Sequence, residues 1–325
     1  MFAPSAAPAS LVWKGNSPSN PTFWDTITTT NWNNGGSPDL FYAGDNVIFN
    51  DTASTFTVAV QGGTVVPSSV VVNSASNYTF TGVIGGTTTL FKAGVGTLTL
   101  ANNNTYNGLT TITNGVISIG TSTALGSAAS GAVISGSGTL DLNTTAAFAN
   151  TINLGAKVLT ISGTGFSGQG AIVNNSATAT QINAVQQVVL AGNSAFGGTF
   201  RWDMRGTGNA LDMASFDLTK VGDSYIALVG TTVNNPGNFI INGGTLGIQT
   251  TANLNGSSAN SVTVNTNGTL DKTFSGDGKK TVVVDLGGGA DVDFGGVTVD
   301  RFGRVILAGV ARAASGNRAV VVRLT

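Results

Sequence analysis

Residues 91–120 read FKAGVGTLTLANNNTYNGLTTITNGVISIG, and this stretch decides the fold. Three alternating runs, Thr97 to Leu100, Leu109 to Thr113 and Val116 to Ile119, are separated by turns of Gly and Asn. Period-two alternation marks a strand buried on one face, so Leu98 and Leu100 point one way and Thr97 and Thr99 the other. The turns NNNTYNG and TNG supply residues that tolerate positive φ. Related text returns as GTLDLN at Gly138–Asn143, KVLTISG at Lys157–Gly163 and GTLGIQ ending at Gln249. Leu98, Ile117, Leu140 and Leu159 lie 19, 23 and 19 residues apart, the length of one solenoid coil of three short strands and their turns. Such coils stack ~4.8 Å apart.

Composition agrees. Of the 325 residues, 41% are hydrophobic and only 9% charged. Cys, His and Glu are absent, and all 15 acids are Asp. Thr, Val, Ile, Asn and Gly form a strand-and-turn vocabulary that predicts an all-β chain. A net charge of −1 gives no overall attraction for nucleic acid. No run reaches the ~18 apolar residues of a membrane span. The first twelve residues lack the basic segment of a complete signal peptide and read as a mature start.

Along the chain, further strands are expected at Asn46–Asn50, Phe56–Val60, Ser69–Asn73, Tyr78–Thr81 and Thr88–Phe91. Residues 164–265 are less regular. Phe196 to Asp217 breaks the pattern, and its Arg201/Asp203 and Arg205/Asp212 pairs read as local ion pairs on a protruding turn. Three of the four Trp residues, Trp13, Trp24 and Trp32, fall near the N-terminus with Phe23, Phe41 and Tyr42. A first coil has no neighbour on one side, so this cluster predicts an aromatic cap. The alternative is a glycan or partner platform built from Trp13, Trp24, Trp32 and Tyr42.

Gly94 to Gly120 resembles the autotransporter-associated β-strand repeat of bacterial surface and secreted proteins, whose pattern is GxGTLTLxxxNTYxGxTTIxxGxLxIG. Trp13-Lys14-Gly15, Phe23-Trp24-Asp25, Asn31-Trp32 and Gly44-Asp45-Asn46-Val47 are similar to the usual opening of such proteins. The likeness is specific over residues 11–145 and looser to about 265. It implies a right-handed parallel β-helix, or β-solenoid, in an exported, non-enzymatic passenger, extracellular or at the cell surface. Parallel crossovers favour the same hand.

Composition changes near residue 268. The last 58 residues hold 14 of the 29 charges, with a net charge of +2. Gly268-Thr269-Leu270-Asp271, Phe274-Ser275-Gly276-Asp277-Gly278 and Gly303-Arg304-Val305-Ile306 resemble one copy of the delta-sixty repeat. Strands at Thr281–Leu286, Gly296–Val299, Arg304–Gly309 and Ala319–Leu324 would make a four-strand antiparallel, blade-like meander. A lone copy suggests a fragment of something longer. The expected organisation is an N-terminal segment and cap over 1–60, a solenoid over 61–265 and the blade over 266–325.

Little chemistry is available. Without His or Cys there is no Ser/His/Asp or Cys/His catalysis and no zinc ligand set. Two Asp residues can hydrolyse a glycosidic bond, but Asp203, Asp212, Asp217 and Asp223 are spread over the irregular segment. Gly276-Asp277-Gly278 and Asp291/Asp293 suggest calcium loops, yet neither the EF-hand pattern nor the Gly-rich calcium repeat is present. No metal, cofactor or catalytic residue is assigned. Two functions remain: a structural rod that forms a homo-oligomer or filament through its ends, and an adhesin that holds a surface polysaccharide on the N-terminal aromatics.

Overall fold

The computed structural model describes residues 8–142 and 152–249, and the backbone of five later strands. The fold is an all-β parallel solenoid, with one short 3-10 turn at Phe166–Gly168 among the described residues. Each coil visits up to three sides. On the first, strands stack in register through Leu11, Val47, Val70, Leu90, Thr110, Ala132, Leu159, Val188, Leu211 and Val233. On the second, the rungs are Tyr78, Leu98, Ile117, Leu140, Ile172, Phe196, Lys220 and Ile241. The third side is a four-stranded parallel sheet of Gln181–Val185, Trp202–Met204, Tyr225–Val229 and Thr245–Gln249.

The aliphatic rungs are buried and form one continuous core. Each fully buried Leu, Ile or Val contributes about 1.5–3 kcal/mol, but only when neighbouring coils supply floor and ceiling. Leu98, Ile117 and Leu140 do share one column. Leu159 does not: it pairs with Ala132 on the first side, and Leu140 is followed by Ile172. That coil is longer, so counting at a fixed spacing lands on the wrong side.

Residues 196–217 are likewise an ordinary coil. They supply the end of Gln187–Gly198, then Trp202–Met204 on the third side and Ala210–Asp212 on the first. Their polar text misleads because the outward Arg201, Asp203 and Arg205 alternate with the buried Trp202 and Met204.

The parallel stack begins ahead of residue 60. Ser10–Trp13 pairs with Asn46–Phe49, and Phe23–Trp24 with Thr57–Val65. The other edge of Ser10–Trp13 is closed by an antiparallel hairpin, Trp32–Asn34 with Ser37–Asp39. An antiparallel partner satisfies the edge without offering a template for another coil. Beneath it Trp13, Trp24, Trp32, Phe41 and Phe49 interlock, with Trp13 and Trp32 5.0 Å apart and Trp24 and Phe41 5.5 Å apart, both edge to face. Asn31 ties the cap together: its carbonyl accepts from the Ser17 amide, and its amino group donates to the Asn20 and Phe23 carbonyls.

Farther on, Asp291–Val299, Val305–Ala313 and Gly316–Arg323 form a three-stranded antiparallel sheet with a bulge between Phe294 and Gly296. The strand expected at Thr281–Leu286 lies outside the described residues.

Candidate functional surface

The repeat's signature residues bind coil to coil. The Asn104 carbonyl accepts from the Ile84 amide at 2.8 Å, and its amino group donates to the Ala124 carbonyl at 2.7 Å, twenty residues away in each direction. Tyr106 is buried two residues on, its hydroxyl 2.8 Å from that of Thr110. No Asn between 102 and 107 takes a positive φ; that role falls to Gly94 and Gly115. The Asn run thus carries bridging amides rather than left-handed turns.

Three buried lysines were not anticipated. Lys92 donates to the Ala93, Gly94 and Asn114 carbonyls, and Lys220 to those of Val221, Gly222 and Gly243. Lys157 donates to the Ser127 and Ser130 carbonyls of the preceding coil. Each sits at a different corner: Lys92 where the chain turns from first side to second, Lys220 from second to third, Lys157 where it enters the first. Burial lowers each ammonium from its ordinary 10.5 to about 8. A lysine so lowered suits a nucleophile, but these are enclosed, with at most 2% of the residue exposed, and their protons are spent on carbonyls. By period-two alternation they share the inward faces of Leu90, Leu218 and Leu159, a signal the sequence reading did not use.

The outer faces differ in chemistry. Outward rungs of the first side run Val12, Ile48, Val71, Phe91, Thr111 and Val133. Those of the second run Thr57, Thr79, Thr99 and Ser118. The third carries Arg201, Asp203 and Arg205. The Asp203 carboxylate is fully buried between the two guanidiniums, accepting from Arg201 Nε at 3.0 Å, Arg201 Nη2 at 2.8 Å and Arg205 Nη2 at 3.3 Å. The pairing of Arg205 with Asp212 expected from sequence does not form; Asp212 instead accepts from the Ala214 amide and the Asn235 side chain.

Of the four aromatic residues singled out as a contact surface, Trp13, Trp24 and Trp32 lie in the interior, while Tyr42 is 42% exposed. The Tyr42 amide donates to Asp45, whose carboxylate also accepts from the Ala9 amide. Gly276–Gly278 lies outside the described residues, and Asp291 and Asp293 fall within a strand rather than a loop. Among the described residues no three acidic side chains gather as a metal site, and no helix is long and apolar enough to cross a membrane.

Comparison with known proteins adds to this geometry. Residues 90–119 match the passenger-associated-transport-repeat family. Over 227 residues the chain is 31% identical to the adhesin BmaC autotransporter of Brucella suis biovar 1 (strain 1330). That alignment takes in 63% of this chain but only 6% of the relative, so the chain spans a small part of that protein's length. No solved structure matches. The chain thus carries a passenger-associated transport repeat, and the matched residues form one coil of its solenoid.

Proposed function

We propose that this chain is a segment of an adhesive, non-enzymatic passenger, extracellular or displayed at the bacterial surface. The observation that carries the reading is the place of the matched repeat: residues 90–119 lie in register within an unbroken parallel stack. A stack of this kind projects a long outer surface while its interior is filled with side chains. Similarity to an adhesin supports binding as the purpose of that surface. The test is to display the chain on a non-adherent bacterial host. Adherence to epithelial cells several-fold above the empty host supports the proposal; adherence equal to the empty host overturns it.

The second reading is a rod that assembles end to end into a homo-oligomer or filament. The N-terminal hairpin speaks for the adhesive reading, because it closes one of the two ends such a filament needs. Electron microscopy of the purified protein separates them: filaments whose repeat equals the rod length would favour assembly, monodisperse rods adhesion.

A further inference from the structure

We propose that Arg201, Arg205 and Tyr225, on the outer face of the third side, form a binding site for an anionic sugar bearing a carboxylate or a sulfate. Arg201 and Arg205 are the only arginines ahead of residue 301. The other cations of the body are Lys14, which donates to Thr52, and the three enclosed lysines. In a chain so poor in charge, both guanidiniums stand at outward positions, each two residues from the same Asp.

One carboxylate answers one guanidinium. Arg201 takes Asp203 in a bidentate grip, and Arg205 reaches it only through Nη2 at 3.3 Å. Arg205 Nε is buried without an acceptor. Each arginine side chain nonetheless keeps 36% of its surface open. The group has a net charge of +1, an unanswered donor and access to solvent. A structural ion pair would require a single arginine.

The site is also held in shape. The Arg201 guanidinium lies 4.8 Å from the centre of the Tyr225 ring. The Tyr225 hydroxyl accepts from the Gln249 side chain on the following strand. The ring crosses Gly247, where any Cβ would fall 2.3 Å from its hydroxyl oxygen. Planar guanidiniums pair with carboxylate or sulfate oxygens in a fixed fork, so fixing them beforehand lowers the cost of binding.

The surroundings select the carrier of the anion. A nucleic acid needs a line of phosphate contacts, and the body has one cationic spot. A peptide could add as a strand only at a free edge, and the edges of Trp202–Met204 and Tyr225–Val229 are taken by neighbouring coils. An acidic sugar needs neither: its charged group meets the arginines, and its hydroxyls meet Thr245 and Gln249.

This names a ligand class for the adhesive reading and rests on it. The test uses purified protein, so its failure leaves cell adherence standing as a separate result. Binding of heparin, hyaluronan and neutral dextran is measured by titration calorimetry for the native chain, Arg205→Gln and Asp203→Asn. The native chain is expected to bind heparin if the site takes sulfate, or hyaluronan if it takes carboxylate, and to ignore dextran. Arg205→Gln keeps the Arg201–Asp203 grip, so it should fold normally and bind at least tenfold more weakly. Asp203→Asn raises the site's charge by one and should bind several-fold more tightly, a gain that misfolding cannot produce. Absence of binding to both acidic glycans, or native-like affinity in folded Arg205→Gln, overturns the proposal.

Discussion

The corner at Lys92 and the corner at Lys220 are built alike, although only the first lies in recognisable repeat text. Lys92-Ala93-Gly94 and Lys220-Val221-Gly222 each turn the chain through a Gly of positive φ, 70° and 69°. In each, the ammonium gathers the two carbonyls that follow it and a third from the next coil. Yet one turns from first side to second and the other from second to third. A tight corner leaves carbonyls pointing inward that no strand can satisfy. A lysine sent in from the preceding rung supplies three donors at once. The shared device belongs to the corner, whichever side it joins.

The largest effect expected separates the two glycines. A Cβ on Gly94 would lie 2.5 Å from both the amide nitrogen and the carbonyl oxygen of Ser74, whereas one on Gly222 meets only the Gly198 carbonyl, at 2.8 Å. Gly94→Ala should cost about 3–4 kcal/mol, combining left-handed strain with a backbone clash, and Gly222→Ala about 2 kcal/mol. Equal urea midpoints for the two variants would mean that the neighbouring coil does not constrain Gly94 as described.

Next come the lysines. Lys92→Met and Lys220→Met each strand three carbonyls and should each cost about 2–3 kcal/mol in urea unfolding. A neutral Lys220→Met beside a damaging Lys92→Met would break the equivalence of the corners. Asn104→Ala tests the matched coil alone: it frees the Ile84 amide and the Ala124 carbonyl and should cost about 1–2 kcal/mol by the same measurement. A loss below about 0.5 kcal/mol would show that water takes over its bridges.

The last test is one of pH. Burial lowers the three lysines to about 8, so the folded chain gives up these protons before the unfolded chain does. Between about pH 8 and 10 the unfolded state binds more protons, and stability rises with pH. Above 10 the sign reverses, because burial holds the Tyr78 and Tyr106 hydroxyls above their ordinary value and the folded state then binds more protons. Thermal midpoints should peak near pH 10, and replacing all three lysines by Met should flatten the rise. A midpoint that falls steadily from pH 8 would mean that the charged carbonyl contacts outweigh desolvation.

Much of this was legible beforehand. Alternation in Thr97–Leu100 and the return of similar text fixed an all-β parallel coil, and the crowding of Trp13, Trp24 and Trp32 marked the end that is capped. The interior lysines were legible too, since Leu90 and Lys92 share a face by period two, but an inward lysine is passed over when charge is assumed to lie outside. The arginine face was hidden for the opposite reason. Outward side chains on the third side are free to be polar, so Phe196 to Asp217 lost its apparent periodicity while remaining a coil.

The sequence alone determined which side chains turn inward and roughly how often the chain returns, because pleat and period are local properties of the backbone. Only the tertiary structure decided which rung lies above which. Leu159 joins Ala132 rather than Leu140, Lys92 finds the Asn114 carbonyl, and Arg201 meets Tyr225. These contacts join residues some twenty to thirty positions apart across a ~4.8 Å step. Their partners depend on the length of every intervening corner, and local alternation carries no record of that length.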